Sequence, residues 1–259
     1  EGLHTETGPG VLEAALAHAP IVEAADRAAL FKTFCKVFAQ RHGLMATFMA
    51  KWNAELPGQS GHVHLSLTDA GGNSAFYQQG APHNMSDVMR WFVGGQVKLL
   101  PELLPMVNNT INSYRRMVPG MWAPLAANWG VENRTTALRV IPGSSQSQRA
   151  EYRIGPADAN PYLILSAALA SGLYGIEHKV DPGQPISGNA YALKSPGPGG
   201  EPLATTLWDA TAGFRSSTTA RALFGDAFVE HYAATREWEA REYHRHVSDW
   251  DLQRYFEII

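Results

Sequence analysis

A chain of 259 residues with 45% hydrophobic and 17% charged content has enough apolar material for one large domain or two modest ones. Lysine and arginine number 21 against 24 aspartates and glutamates, and the resulting formal charge of −3 lacks the basic field that holds a nucleic-acid backbone. The single cysteine, Cys35, excludes an internal disulfide, and the longest apolar-leaning stretch, Tyr162 to Ile176, is broken by two serines and two glycines and falls short of the roughly 20 residues a membrane span needs. Neither nucleic acid nor membrane is expected as a partner. With no secretory leader pattern at the start, the cytoplasm is the expected compartment. Because the chain opens on Glu1 rather than Met and its first residues already read as part of a site, an incomplete N-terminus is expected.

Leu30, Phe31, Phe34, Val37 and Phe38 recur at helical spacing and predict a helix over Arg27 to His42, with Cys35 packed inside it and Gly43 as its stop. Leu44 to Lys51 reads as a strand. After a Pro57-Gly58 break, His62 to Thr68 alternates strictly, placing His62, His64 and Ser66 on one face and Val63, Leu65 and Leu67 on the other. Asp69 to Asn73 reads as a turn. Ser86 opens a helix carrying Met89, Phe92, Val93 and Val97, which Pro101 is expected to stop, with a shorter helix from there to Val107. Asn108 to Gly130, rich in Pro, Gly and Asn, reads as a long structured loop. Strands near Ala137 to Ile141 and Ala150 to Ile154 follow, joined by Gly143 to Gln148, and alternation sets Glu151 and Arg153 on one face. Asn160 caps a helix that begins at Pro161, runs to about Ile176 and, being apolar nearly all round, is expected to be buried. Asp181 to Glu201 reads as a Pro/Gly-rich loop, and from Leu203 the chain is helical, with Ser248 capping a short last helix. No repeat or linker divides the chain.

Three groups of residues carry chemistry. Glu6 and Glu13 flank Gly8-Pro9-Gly10, a turn able to bring two carboxylates together; they are either oxygen ligands for a hard divalent cation or two solvated glutamates. The His62, His64, Ser66 face suits metal or phosphate contact, or else presents two hydrogen-bonded histidines on the wet side of a sheet. Between positions 115 and 153 stand Arg115, Arg116, Arg134, Arg139, Arg149 and Arg153 with no lysine among them. Such a set points to planar, bidentate recognition of phosphate and carboxylate, the alternative being exposed salt bridges. Carboxylates, histidine and arginines together fit phosphoryl transfer, although no Walker, GxGxxG, GxSxG or HExxH motif is present.

At Asn112-Ser113-Tyr114-Arg115-Arg116-Met117-Val118-Pro119-Gly120, followed by Ala123-Pro124, the chain resembles the glutamine synthetase family. Glu6 to Glu13, Gly61 to Ser66, Asn133 to Arg139, Ala159 to Leu163 and the tail Trp250 to Phe256 are similar to further family segments, so the resemblance spans the chain. It implies an α+β catalytic domain, a curved antiparallel sheet backed by helices, over residues 1–259, without the family's N-terminal β-grasp domain and the first part of the catalytic domain. It also implies ring-shaped homo-oligomers, single or double, in which a neighbour's N-terminal domain closes each site, so the 259 residues alone are expected to be inactive. The implied reaction is ATP-dependent phosphorylation of the γ-carboxylate of glutamate, followed by displacement of phosphate by a nitrogen nucleophile. Carried over by position, Glu6 and Glu13 would ligate one Mg or Mn ion, and His62 with Glu151 a second. Arg116 and Arg134 would act in catalysis and, with Arg153, hold glutamate and the developing phosphoryl charge. His64, Ser66, Arg139 and Arg149 would face ATP.

The departures bear on the substrate. Ammonia-using members carry an acidic residue two positions beyond the glycine of V-P-G, where this chain has Trp122. An indole accepts no proton, but it packs on an alkyl chain or meets an organic cation over its face. The approach to His62 reads Pro57-Gly58-Gln59-Ser60-Gly61 rather than Asn-Gly-Ser-Gly, and a lysine expected five residues before Glu151 is Gln146. The chain is therefore most similar in kind to γ-glutamyl amine and γ-glutamylpolyamine synthetases, with glutamine synthetase proper and a non-catalytic binding or assembly protein as the alternatives.

Overall fold

A computed structural model describes residues 2–193 and 200–258. In chain order these form β1 (Gly2–Thr5), β2 (Leu12–Ala15), α1 (Ile21–Arg41), β3 (Val63–Leu65), α2 (Asp87–Val107), α3 (Ile111–Arg115), β4 (Ala126–Ala127), β5 (Trp129–Val131), β6 (Leu138–Ile141), β7 (Arg149–Tyr152), α4 (Pro161–Glu177), β8 (Glu201–Pro202), α5 (Leu207–Ser216), α6 (Thr218–Phe224), α7 (Asp226–Arg245) and α8 (Asp249–Tyr255). None of the described helices is long and apolar enough to cross a membrane. Part of the Asp181 to Glu201 loop lies outside the described residues.

The central sheet runs β3-β7-β6-β5. Its first two pairings are antiparallel, whereas β5 and β6 run parallel, so the sheet is mixed at one edge. Parallel neighbours ordinarily need a dozen or more connecting residues. Here Glu132 to Ala137 suffice, because β5 is three residues long and Glu132 turns the chain at φ 51°. Leu65, Ala150, Tyr152, Leu138, Val140 and Trp129 are buried on one face of the sheet and join the core built on α2, α4 and α5. The opposite face is polar and carries the candidate site.

Sequence signals at the helix starts hold in detail. Ser86 accepts from Met89 N at 3.1 Å, Asn160 from Tyr162 N at 3.0 Å, and Ser248 and Asp251 cap α8 reciprocally. Other expectations fail for identifiable reasons. Helix α1 starts at Ile21, six residues earlier than the periodic run. Leu44 to Lys51 forms no strand; it has no neighbour to pair with, and Ala50 O instead accepts from Gln59 N at 2.7 Å. Pro101 and Pro105 both lie inside α2 rather than ending it. Each removes a helical donor at a cost of about 3 kcal/mol, but the last turns bury Leu99, Leu100, Leu103, Leu104, Met106 and Val107 completely or nearly so, at about 1.5–3 kcal/mol per side chain. The Asn108 to Gly130 loop contains α3, whose start is fixed by a Thr110–Ser113 capping box that also bonds Asp158. Helix α4 is buried along Ile164, Ala167, Ala168, Ser171, Gly172 and Gly175, but Tyr162 and Leu173 remain exposed because only α1 and α2 cover it.

The α2–α4 crossing depends on glycine. A methyl group at Gly95 would collide with Ser171 O and lie 2.6 Å from Gly175 Cα, so the two backbones are already in contact. We expect Gly95→Ala to destabilise the protein by about 3 kcal/mol in urea unfolding. Gly213→Ala, at an exposed position of α5 with nothing near the added methyl, should raise stability by about 0.5–1 kcal/mol. Equal midpoints for the two variants would refute this account of the crossing.

Candidate active site

Strand register lines up His64, Glu151 and Arg139 as one row across β3, β7 and β6. Glu151, only 3% exposed, is the centre of this row. Its Oε1 accepts from Arg153 Nη1 at 2.6 Å and lies 3.2 Å from His62 Nδ1, and its Oε2 accepts from Arg139 Nη1 at 3.1 Å. Burial alone would raise the Glu151 carboxyl, but the His62 hydrogen bond and the Arg153 charge hold it at about 2. It is fully ionised at neutral pH. The Glu151–Arg153 pairing is the one strand alternation foretells.

His62 sits just before β3, where the backbone is pressed against its neighbours. A side chain at Gly58 would meet Ala50 O at 2.6 Å, and one at Gly61 would meet Pro156 O at 2.7 Å. Gly61 N donates to Gly155 O at 2.8 Å, so the Pro57 to Gly61 approach is clamped to the end of β7 and delivers His62 to Glu151. Burial pushes the imidazole down to about 4. Nδ1 is turned to Glu151, and Nε2 is buried without a hydrogen-bond partner among the described residues. A neutral ring beside an ionised carboxylate sets a nitrogen and an oxygen donor next to each other, the pairing a divalent cation can use.

The β1–β2 hairpin supplies the remaining carboxylates. Its register sets His4 opposite Glu13, and His4 lies 3.6 Å from Glu13 and 3.8 Å from Glu6. Glu6 and Glu13 hydrogen-bond each other. That contact lowers Glu6, while burial and the same contact raise Glu13, so of the two Glu13 is the first to take up a proton as pH falls. A divalent cation can take the place of that proton, and one ligand atom from each of His4, Glu6 and Glu13 lies within 4.8 Å of the others. The charge of His62 is felt at Glu6 and that of Glu151 at Glu13, so the hairpin lies within electrostatic range of the His62–Glu151 pair.

The arginines divide into two kinds. Arg116 is 1% exposed and donates to Ile154 O at 2.9 Å, Ser60 Oγ at 2.8 Å and Arg153 O at 3.3 Å. Burial lowers it to about 10. In this arrangement it braces the end of β7 against the Pro57 to Gly61 approach, and no carboxylate pairs with it. Arg153 is buried too, on Glu151 and on Arg134 O at 3.2 Å. Arg134 is exposed and Arg149 half-buried. The Arg134 guanidinium bonds no described residue, and Arg149 donates to His64 Nδ1 at 3.3 Å and Ser147 O at 2.9 Å. Arg139 is held between Glu151 and Glu132. Ser66 is exposed beyond the end of β3, and Gln146 lies in an exposed turn. Trp122, 52% exposed at φ 60°, makes no hydrogen bond or ring contact with a described residue.

Four participants were not foreseen: His4, Glu132, Ser60 and Tyr191, whose buried hydroxyl lacks a partner among the described residues and feels the charges of Arg153 and Arg116. His4 alone had a signal, standing two residues before Glu6 in an extended segment. Two surface hollows, of about 390 and 180 Å³, are lined by residues of α3, α5 and α7 and their flanking segments and by none of these groups. The site is an open polar face.

The glutamine synthetase catalytic-domain model matches residues 1–255, and the chain belongs to that family. It is 46% identical over its full length to a type-1 glutamine synthetase of Dictyostelium discoideum, covering 50% of that protein, and 43% identical over its full length to a glutamate–isopropylamine ligase of a Pseudomonas species, covering 56%. The solved ADP complex of GmaS superposes with a TM-score of 0.82 at 34% identity, over 92% of this chain and 55% of that one. The chain thus spans about half the length of the curated relatives it matches.

The metal-free site makes folding sensitive to acid. His62 is neutral in the folded protein down to about pH 4 but titrates near 6.5 when unfolded, so its contribution is complete above 6.5 and shrinks as pH falls toward 4, by up to about 3 kcal/mol. Glu151 adds a second loss from about 4.5 toward 2. Thermal unfolding of metal-free protein between pH 7 and 4 should show this decline, and His62→Gln should largely flatten it. Parallel curves for the two proteins would contradict the assignment.

Proposed function

We propose that the chain is the catalytic portion of a ligase that joins the γ-carboxylate of glutamate to a primary amine, using ATP and two Mg or Mn ions. The observation that carries this reading is Trp122, an exposed indole where ammonia-using relatives place an acid, in a chain that keeps Glu6, Glu13, His62, Glu151 and the arginine set. In the first step a γ-carboxylate oxygen attacks the terminal phosphorus of ATP, forming γ-glutamyl phosphate and ADP. In the second the amine nitrogen attacks the acyl carbon, phosphate leaves with the C–O electron pair, and the nitrogen loses a proton.

Bound divalent ions would neutralise charge on the phosphates during transfer. Glu6 and Glu13 would hold one ion and His62 with Glu151 the other; the neutral His62 ring, with Nδ1 3.2 Å from Oε1 of the ionised Glu151, supports that fit. Arg134, exposed and without a partner for its guanidinium among the described residues, is suited to the phosphoryl group in flight, and Arg149, beside His64, to the nucleotide phosphates. Arg116 and Arg153 form the floor on which the glutamate site would be built, with Arg153 closest to the catalytic carboxylate. Trp122 would cover the alkyl part of the amine and hold its cationic form over the ring face. Ring-shaped homo-oligomers in the cytoplasm, as in the family, are part of the same proposal.

Phosphate release by the full-length protein with glutamate, ATP and Mg²⁺ should be stimulated by members of a panel of mono-, di- and polyamines far more than by ammonium. Stimulation by ammonium alone would make the protein a glutamine synthetase, the reading favoured by the Dictyostelium relative. Trp122→Asp should shift the ratio of kcat/KM toward ammonium by about tenfold, chiefly through a higher KM for the amine. An unchanged ratio would remove Trp122 from the specificity account.

A further inference from the structure

We propose that Glu132 is a positioning residue for Arg139, drawing two of the guanidinium's three nitrogens away from Glu151 so that the buried carboxylate keeps capacity for a divalent cation. The inference rests on the metal role given above to His62 and Glu151. Glu132 Oε2 accepts from Arg139 Nε at 3.2 Å and also from Nη2, while the same guanidinium reaches Glu151 Oε2 through Nη1 alone, at 3.1 Å. One cation is thus shared between two carboxylates, two donors to the outer one and a single donor to the inner.

The backbone at this position is held at a conformation glutamate disfavours. Glu132 has φ 51°, a left-handed value that non-glycine residues keep only where the surroundings over-determine it. Its N–H donates to Val140 O at 2.9 Å, and the next residue, Asn133, is pinned through its side chain to Ile186 O at 3.0 Å and Gly188 O at 2.9 Å. This tight return from β5 to β6 sets the Glu132 carboxylate against Arg139, whose Cα partner on β5 is Gly130. Glycine would fit the turn without strain, so the side chain present is the part that needs explaining.

Without the Glu132 charge, Arg139 would turn its free donors to Glu151, whose Oε1 already serves Arg153 and His62. The inner carboxylate, which already bonds one nitrogen of each guanidinium, would then take further donors from Arg139, and the net charge of the face would rise by one. Both changes oppose a cation.

Calorimetric titration of the full-length, substrate-free protein with Mn²⁺ tests this directly. Glu132→Gln should weaken binding at one site by about tenfold. In an Arg139→Gln background the same substitution should change affinity by less than about twofold, because the arginine it restrains is gone. Glu132→Gly should weaken Mn²⁺ binding like Gln while leaving thermal stability equal or higher, a pattern a merely structural glutamate would reverse. Equal losses in both backgrounds would reduce Glu132 to a distant charge and overturn the proposal, as would unchanged affinity; either result leaves the amine-ligase reading standing. A wild-type protein that binds no Mn²⁺ would overturn the proposal and the metal assignment together.

Discussion

A carboxylate buried in a protein interior must be neutralised where it stands, and much of this site follows from meeting that requirement at Glu151. Its compensating groups come from three separate parts of the chain: Arg153 from just beyond the end of its own strand, Arg139 from the next strand, and His62 from the clamped approach to β3. The register of β3, β7 and β6 is what allows all of them to meet, and that register is enforced from behind, where Leu65, Ala150, Tyr152, Leu138 and Val140 pack into the core. A slip of one residue would turn the polar row into the core and the apolar row into solvent.

The division among the arginines follows from the same constraint. Arg116 and Arg153 spend donors on main-chain carbonyl oxygens, which fixes the end of β7 and the residues around Gly58 as a rigid floor. A guanidinium so engaged has little freedom to follow a ligand. Arg134 and Arg149 lie on the open side, the first without a partner among the described residues and the second sharing only a histidine nitrogen and a carbonyl. Arg139 belongs to neither group, since two carboxylates compete for it. An all-arginine sequence pattern therefore conceals three mechanical roles that only burial and partners distinguish.

Much of this was legible in the sequence where periodicity or a local cap decides the structure. The alternation through His62, His64 and Ser66, the shared face of Glu151 and Arg153, and the caps at Ser86, Asn160 and Ser248 all depend on neighbours within a few residues. What escaped depends on contacts far along the chain. The continuation of α2 through two prolines is decided by burial, the absence of a strand at Leu44 to Lys51 by the lack of a pairing partner, and the parallel edge by the sharp turn at Glu132. Glu132 itself could not be singled out, because its importance arises from a backbone conformation that its residue type disfavours. His4 is intermediate, since an extended hairpin around Gly8-Pro9-Gly10 brings it opposite Glu13 once the register is known.

The electrostatic layout narrows the chemistry beyond what any single residue does. On the hairpin side, Glu6, Glu13 and the unsatisfied His62 nitrogen present electron pairs; on the β6–β7 side, Arg134, Arg149 and the outer part of Arg139 present N–H donors. A simple anion would satisfy the second side and be repelled by the first, and a simple metal ion would do the reverse. A ligand that is itself a cation–polyanion pair satisfies both at once, as a nucleotide phosphate chain with its divalent ions does. Trp122 contributes no charge to this balance, so a third component meeting it gains from dispersion and the face of the indole rather than from a fixed counter-ion. Ammonium has no alkyl surface to offer such a ring, whereas a primary amine offers both a cationic head and an apolar body, and that asymmetry is the physical basis for discrimination between the two.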